Sequence, residues 1–540
     1  MSDSTVDVLI RGGRVVDGTG NPWRHADVVI SGDRIGDVAP PGSVPEASAA
    51  EVVDAAGLVV CPGFIDILSH SIVPLMIDPR CLSKVTQGVT TEIMGEGTTP
   101  APVGGPVTDP LPTSRLTRNI PEWRERARGW KRFGDWLAAM EEHGTTPNIA
   151  SFLGGGTLRQ LVKGMEMGEA TVAEMGRMRE IMAEAMDDGA VGVSCALIYP
   201  PESYVSTREL IEVAKVVAGR GGIYITHIRS ESSHLLEGIE EAIQVGHEAG
   251  LPVEIYHLKA SGQPNWPLMA QAIERIQSAR DDGQDVAADV YPYTASGTGL
   301  TSVLPPWVAA GGALYDNLGD AAVRARIRDE VLGGRGNWDQ TADPRRPESI
   351  MPVGLQLPEH RAFNGRRLAE IATERDQDWL DTAMDLLQAE RHRIDTIYFT
   401  MSEDNLVEEI RQPWVSFGTD AGGMDPEWAA SLGPMHPRAY GTYPRILGTY
   451  VRERRALGLE EAVRKMSSAV AARMGWSDRG LLRAGCHADV VAFDPLTIAD
   501  HATFEEPHQL STGVRDVWIN GRRVLEEGRH TGATPGRVLR

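Results

Sequence analysis

Residues 222–257 read GIYITHIRSESSHLLEGIEEAIQVGHEAGLPVEIYH. An apolar run, 222–227, closes on His227; a stretch with apolar residues at helical spacing follows over 231–249; a second apolar run, 253–257, closes on His257. This is one strand–helix–strand step, the repeating unit of a parallel sheet covered by helices. The same alternation extends outwards in both directions. Strand-like runs stand at 63–67, 89–94, 148–153, 190–194, 285–291, 395–399 and 414–420, with helical patterns at 171–188 and 207–219. Over about 400 residues such units close most readily into an α/β barrel of the (β/α)8, TIM-like kind. Nine runs are present and a barrel needs eight, so one is expected to lie outside it. The stretch 297–395 is rich in Pro and Gly and poorly periodic, and is read as an insertion over the catalytic face.

The two ends of the chain have another character. VDVLIRGGRVVDG (6–18), ADVVISGDRIGDV (26–38) and AEVVDAAGLVV (50–60) alternate apolar and polar residues and end at Gly or Asp, as do ADVVAFDP (488–495) and VRDVWINGRRVLEEG (514–528). Asn520-Gly521 is a two-residue hairpin signal. Neither end is long enough for a core of its own, so residues 1–61 and 483–540 together are expected to form one small β domain beside the barrel of 62–482.

Composition excludes several classes. The formal charge of −22 over 540 residues argues against a nucleic-acid surface, which needs clustered positive charge. No run of about 18 apolar residues exists, so no membrane span is expected. The start shows no basic region followed by an apolar stretch, and the four cysteines (Cys61, Cys81, Cys195, Cys486) form no C-x-x-C pair, so a reducing, cytoplasmic setting is expected.

The polar residues that end the apolar runs carry the chemistry. Asp66 and His70 follow PGFI, Glu96 follows VTTEIMG, His227 ends GGIYIT, His257 ends PVEIY, Asp289 and Tyr291 end QDVAA, and Asp420 ends WVSFGT. In a barrel these positions converge on one mouth. Three histidines and several carboxylates in one ring match the nitrogen and oxygen ligands that zinc takes. A lone histidine at a strand end is usually a hydrogen-bonded structural residue, but here the event recurs one strand–helix–strand step apart.

The chain also resembles a known family. PGFID near residue 62, histidines ending two successive strands and aspartate ending the last strand are similar to the amidohydrolase superfamily. QGVTTE (87–92), GGGTLRQLV (154–162), LIYPPESYVSTREL (197–210), THIRSES (226–232), HLKASGQPNW (257–266), YPYTASGTGL (291–300), HPRAYGTYPRILG (436–448) and ADVVAFDP (488–495) resemble the N-acyl-D-amino-acid deacylases, the D-aminoacylase family. The resemblance spans nearly the whole chain. It implies a metal-dependent barrel with a small β-sandwich domain. It also implies metal-ligand roles for His227 and His257, a proton-handling role for Asp420, and correspondence of His70 to the second histidine of the family's H-x-H. Two departures stand out. Leu68 occupies the place of the first histidine of that pair, and Gly95-Glu96-Gly97 replaces the family's cysteine-bearing string. Glu96 is then the substitute ligand, a carboxylate that keeps one negative charge on the ion.

The expected site therefore comprises Glu96, His227, His257 and His70 around Zn2+, one or two ions per chain, with Asp420 as the catalytic proton carrier. Lys259, one of six lysines in the chain, would bind a substrate carboxylate with Tyr199 and Tyr291 or Tyr293. The expected reaction is hydrolysis of a linear amide, N-acyl-D-amino acid to D-amino acid and carboxylate. The partner is then a small-molecule amide, with no nucleic acid and no membrane, and homo-oligomerisation left open. Two alternatives stand beside it: a cyclic amide or imide hydrolase of the same superfamily, and a non-catalytic binding protein on an inherited barrel, suggested by Leu68 and the missing cysteine.

Overall fold

The computed structural model describes residues 6–111, 114–333, 338, 343 and 345–540. Eight parallel strands form the barrel: Phe64–Ser69, Val89–Met94, a third strand Asn148–Ser151 prolonged by Leu153–Gly154, then Gly192–Ala196, Ile223–His227, Val253–Ile255, Val286–Val290 and Val415–Phe417. The ring closes where the backbone N–H of Asp420 donates to Leu68 O at 2.8 Å, beside a parallel bridge between Ser69 and Ala421. Almost every barrel-strand residue is buried, because helices such as Val172–Asp187, Thr207–Ala218 and Leu235–Ala249 cover the outer face. Two of these helices begin at capping boxes, Thr171 with Glu174 and Ser206 with Glu209, which fixes their starts.

The ninth expected strand lies outside the barrel. Asp395–Tyr398 sits in a three-stranded antiparallel sheet between Ser296–Gly299 and Ile350–Pro352. That sheet and the helices Ala321–Gly333, Leu368–Glu374 and Trp379–Glu390 share a core of their own, including Ile327, Ile350, Leu368, Leu380 and Tyr398. Within this insertion, residues 334–337, 339–342 and 344 lie outside the described residues.

The ends of the chain share one nine-stranded sheet. Val59–Pro62 is the seam, pairing parallel with Val6–Val15 and antiparallel with Val490–Phe493. The hairpin of Arg24–Ser31 and Arg34–Ala39 folds back onto the C-terminal strands: Ile35 N donates to Cys486 O, and Ala488 N to Asp33 O. This encloses a core with Val8, Ile10, Val28, Ile30, Val490 and Trp518. At the turn Asn520-Gly521 both residues have positive φ, 48° and 76°, as the hairpin signal predicts. A Cβ on Gly521 would stand 1.9 Å from Gly32 O, so only glycine fits there. The last residues run back to the barrel, where Val538 bridges Ile149 beside the third strand. All four cysteines are buried free thiols.

Candidate metal centre

The strand ends converge as the barrel requires. Glu96 follows the second strand in a turn between Gly95 (φ 108°) and Gly97 (φ 61°). A Cβ at residue 95 would lie 2.4 Å from Phe152 O, so glycine is what lets the turn bring Glu96 inwards. His227 ends the fifth strand, while His257 and Asp420 stand just beyond the sixth and eighth in left-handed conformations, φ 35° and 49°. Such backbone strain is held where surrounding structure over-determines it, here by the N–H of His257 donating to Asp289 Oδ1 at 3.0 Å and that of Asp420 to Leu68 O.

Glu96 sits between two groups with its side chain nearly buried. Its Oε1 is 3.4 Å from His227 Nδ1 and 3.5 Å from His257 Nε2; its Oε2 is 3.0 Å from His70 Nε2, which in turn lies 2.9 Å from Asp420 Oδ1. The ligand atoms of Glu96, His227 and His257 all lie within 4.8 Å of one another, and so do those of His70, Glu96 and Asp420. Zinc bonds nitrogen and oxygen at about 2.0–2.2 Å, so ligand atoms in a tetrahedral shell stand about 3.3–3.6 Å apart. The two spacings from Glu96 to the imidazoles, 3.4 and 3.5 Å, match that and are too long for good hydrogen bonds. His227 Nε2 is buried with no hydrogen-bond partner among the described residues. The donor set of two imidazoles and a carboxylate thus fits a zinc-like ion on both chemistry and spacing.

The electrostatics agree. Burial alone would raise Glu96, but the imidazoles of His227, His257 and His70 outweigh it and hold the carboxyl well below its ordinary range. For Asp420, burial is outweighed by the Arg438 guanidinium and His70, so it too stays ionised. Arg438 Nη1 lies 2.7 Å from Asp420 Oδ2, and Nη2 donates to Gly297 O at 3.2 Å. This partner, eighteen residues after Asp420 in the HPRAYG string, is not among the site residues expected from sequence.

The substrate-side residues are placed less uniformly. Lys259, 3% exposed, has Nζ 2.5 Å from Glu231 Oε1 and 2.8 Å from His257 Nδ1. Sequence reasoning missed Glu231, whose signal was its place four residues after His227. Burial would raise its carboxyl, but the charges of His227, Lys259 and His257 pull it far below the ordinary range. Tyr291 lies against His257, ring centroids 6.4 Å apart, with the Arg438 guanidinium 4.7 Å and Lys259 Nζ 5.8 Å from its ring centre. Tyr199 packs at 5.5 Å on His227 and hydrogen-bonds Thr298. Tyr293, by contrast, is not among the residues lining the cavity: it is buried against His436, Phe504 and Arg445. The strand ends at Val290, so the two-residue alternation that would align Tyr291 and Tyr293 does not continue. Leu68 is buried in the barrel interior, with room made by Gly418, where a Cβ would approach Leu68 Cβ to 2.8 Å. It offers no ligand atom.

These residues line a cavity of about 470 Å³. Its floor holds His70, Glu96, His227, His257 and Asp420, and its outer wall comes from the insertion, including Thr298, Arg393 and Asp395.

Comparison with known proteins places the chain. A family model described as the amidohydrolase family matches residues 400–525. The D-aminoacylase of Alcaligenes xylosoxydans xylosoxydans is 35% identical, over 99% of this chain and 97% of its own length; the N-acyl-D-aspartate deacylase of the same organism is also 35% identical, over 99% and 95%. The crystal structure of N-acyl-D-glutamate deacylase from Bordetella bronchiseptica, complexed with zinc and a phosphonate inhibitor, superposes with a TM-score of 0.80 at 30% identity, covering 99% of this chain and all of that one. With relatives matched over essentially their whole length, the chain belongs to the D-aminoacylase family of N-acyl-D-amino-acid deacylases within the amidohydrolases.

Proposed function

We propose that this protein is a zinc-dependent amidohydrolase that cleaves the linear amide of an N-acyl-D-amino acid, giving a D-amino acid and a carboxylate. The observation that carries the proposal is the position of Glu96, with one oxygen toward His227 and His257 and the other toward His70, which in turn meets Asp420. Glu96, His227 and His257 would hold the ion, and His70 with Asp420 stands where a second could be shared through Glu96. When bound, zinc polarises an amide carbonyl and makes water a stronger acid.

The chain's own groups supply the rest. Asp420, kept ionised by Arg438 and His70, accepts a proton from the attacking water and returns it to the amide nitrogen as the C–N bond breaks. Glu231 contacts His257 Nδ1 at 3.0 Å and so orients that ring, while its other oxygen lies 3.6 Å from His227 Nε2 and supplies charge rather than a hydrogen bond. Lys259, Tyr199 and Tyr291 form the wall that would face the substrate's α-carboxylate. A cavity of about 470 Å³ suits a small-molecule substrate, and among the described residues no helix is long and apolar enough to cross a membrane. A cytoplasmic setting is part of the same reading. So is a division into a terminal β unit, 1–61 with 483–540, and a barrel unit, 62–482, supported by the shared terminal sheet.

The test is turnover of paired N-acetyl-D- and N-acetyl-L-amino acids, with cyclic amides beside them, by protein whose zinc content has been measured. Release of free D-amino acid, lost with the metal, is the expected result. Hydrolysis confined to cyclic amides would reject the reading.

A further inference from the structure

The cavity contains four cationic side chains: Lys259, Arg438, Arg115 and Arg393. Three engage partners through their terminal nitrogens, although the Nε atoms of Arg115 and Arg438 are buried with no hydrogen-bond partner among the described residues. Lys259 Nζ is held by Glu231 and His257, and Arg438 by Asp420 and Gly297 O. Arg115 pairs with Asp395 at 2.8 Å and directs Nη1 to the carbonyls of Val353, Leu432 and Pro434, each at 3.4 Å.

Arg393 is different. It immediately precedes the insertion strand Asp395–Tyr398 and donates through Nε alone, to Asp395 Oδ1 at 3.2 Å. Among the described residues neither of its Nη atoms has a hydrogen-bond partner. Its side chain is 59% exposed, yet it lines the cavity, where the charge of Glu96 and the hydroxyl of Tyr199 act on it. Asp395 is shared between two guanidinium groups, so this wall keeps one net positive charge. A guanidinium with a merely structural task would direct its Nη donors to carbonyls, as Arg115 does. One anchored through Nε with both Nη groups open has the fork that a carboxylate takes bidentately.

We infer that the substrate carries a second carboxylate and that Arg393 is the residue that selects for it. This rests on the deacylase reading above. The second carboxylate belongs either to the amino-acid side chain or to the acyl arm, and the chemistry Arg393 recognises is the same in both.

Two matched pairs distinguish the sources: N-acetyl-D-glutamate against N-acetyl-D-glutamine, and N-succinyl-D-alanine against N-butyryl-D-alanine. For the unaltered protein, kcat/KM is expected to favour the dianionic member of one pair about tenfold or more, the scale of hydrogen bonds to charged groups. The pair that shows the preference assigns the source. In Arg393→Gln that ratio is expected to fall toward one through the KM of the dianionic member, and Arg393→Lys, which keeps charge but loses the fork, is expected to fall between. The position is largely exposed, so folding is not at stake, and circular dichroism checks it. No preference in either pair, or a preference that survives in Arg393→Gln, overturns the inference while leaving the deacylase reading intact. Failure to turn over all four compounds sinks both.

Discussion

Lys84 Nζ lies 2.6 Å from Asp66 Oδ2 inside the barrel, and neither side chain is exposed to solvent. The same ammonium reaches Glu92 at 2.9 Å and Thr419 Oγ1 at 2.6 Å, while Thr419 returns a hydrogen bond to Asp66. One cation thus serves two buried carboxylates drawn from the first two barrel strands, and ties both to the residue before Asp420. Removing one partner of a buried pair leaves an uncompensated charge, which costs about 3–5 kcal/mol. Lys84→Met is therefore expected to lower the unfolding free energy measured in urea by that order, seen as a lower midpoint at unchanged slope. An unchanged midpoint would show that the lysine is dispensable to stability.

Metal binding separates the residues around Glu96. Glu96→Ala and His227→Asn each remove a donor from the group whose spacing suits tetrahedral zinc, and both are expected to emerge from gel filtration with little bound metal. His70→Asn is expected to keep the ion held by Glu96, His227 and His257. Chelation should lower the Tm of the unaltered protein and added zinc should restore it, because an ion that binds only the folded chain stabilises it by mass action. Full metal content in Glu96→Ala would mean that the carboxylate does not stand in for the thiolate.

Acid and alkali act on Glu409, which is 1% exposed in the helix Glu403–Arg411. Burial pushes its carboxyl up to about 8 against a small opposing effect of Lys259. An unfolded glutamate ionises near its ordinary value of 4.5, so the folded chain binds this proton more tightly. The resulting stabilisation is complete below about pH 4.5, is lost as pH rises toward about 8, and changes no further above that. Glu409→Gln removes the dependence. Measured from about pH 5 to about pH 8, the Tm of the variant is expected to gain steadily on that of the unaltered protein. Parallel curves would show that Glu409 ionises normally.

The barrel was legible because its strands are buried on both sides and so read as apolar runs, and because six of the eight end on or lead into a residue whose chemistry faces the mouth. Strand-by-strand reasoning stopped where extended geometry stops. Lys259 lies two residues after His257, but the strand ends at Ile255 and His257 has positive φ, so the alternation of side chains along a strand does not bring the pair together. The two side chains meet because Glu231 holds both. Tyr293 went astray for the same reason, without such a tether. Glu231 and Arg438 reach the site from loops and helices whose paths no local pattern reveals. The insertion sheet pairs Ser296–Gly299 with Asp395–Tyr398 across almost a hundred residues, too few per strand for periodicity to mark. Arg393 owes its position to that pairing.

Asp420 separates proton handling from metal holding. Its carboxylate meets His70 on one oxygen and Arg438 on the other, and it lies outside the group formed by Glu96, His227 and His257. Asp420→Asn keeps the size of the side chain but cannot accept and return a proton. General acid–base groups typically contribute 10²–10⁴-fold, so kcat for an N-acyl-D-amino acid is expected to fall by about that factor. Metal content should stay close to that of the unaltered protein, because the three donors remain. Loss of metal together with activity would make Asp420 a ligand first, and an undiminished kcat would move the proton transfer to another group, for which His70 is the nearest candidate at 2.9 Å.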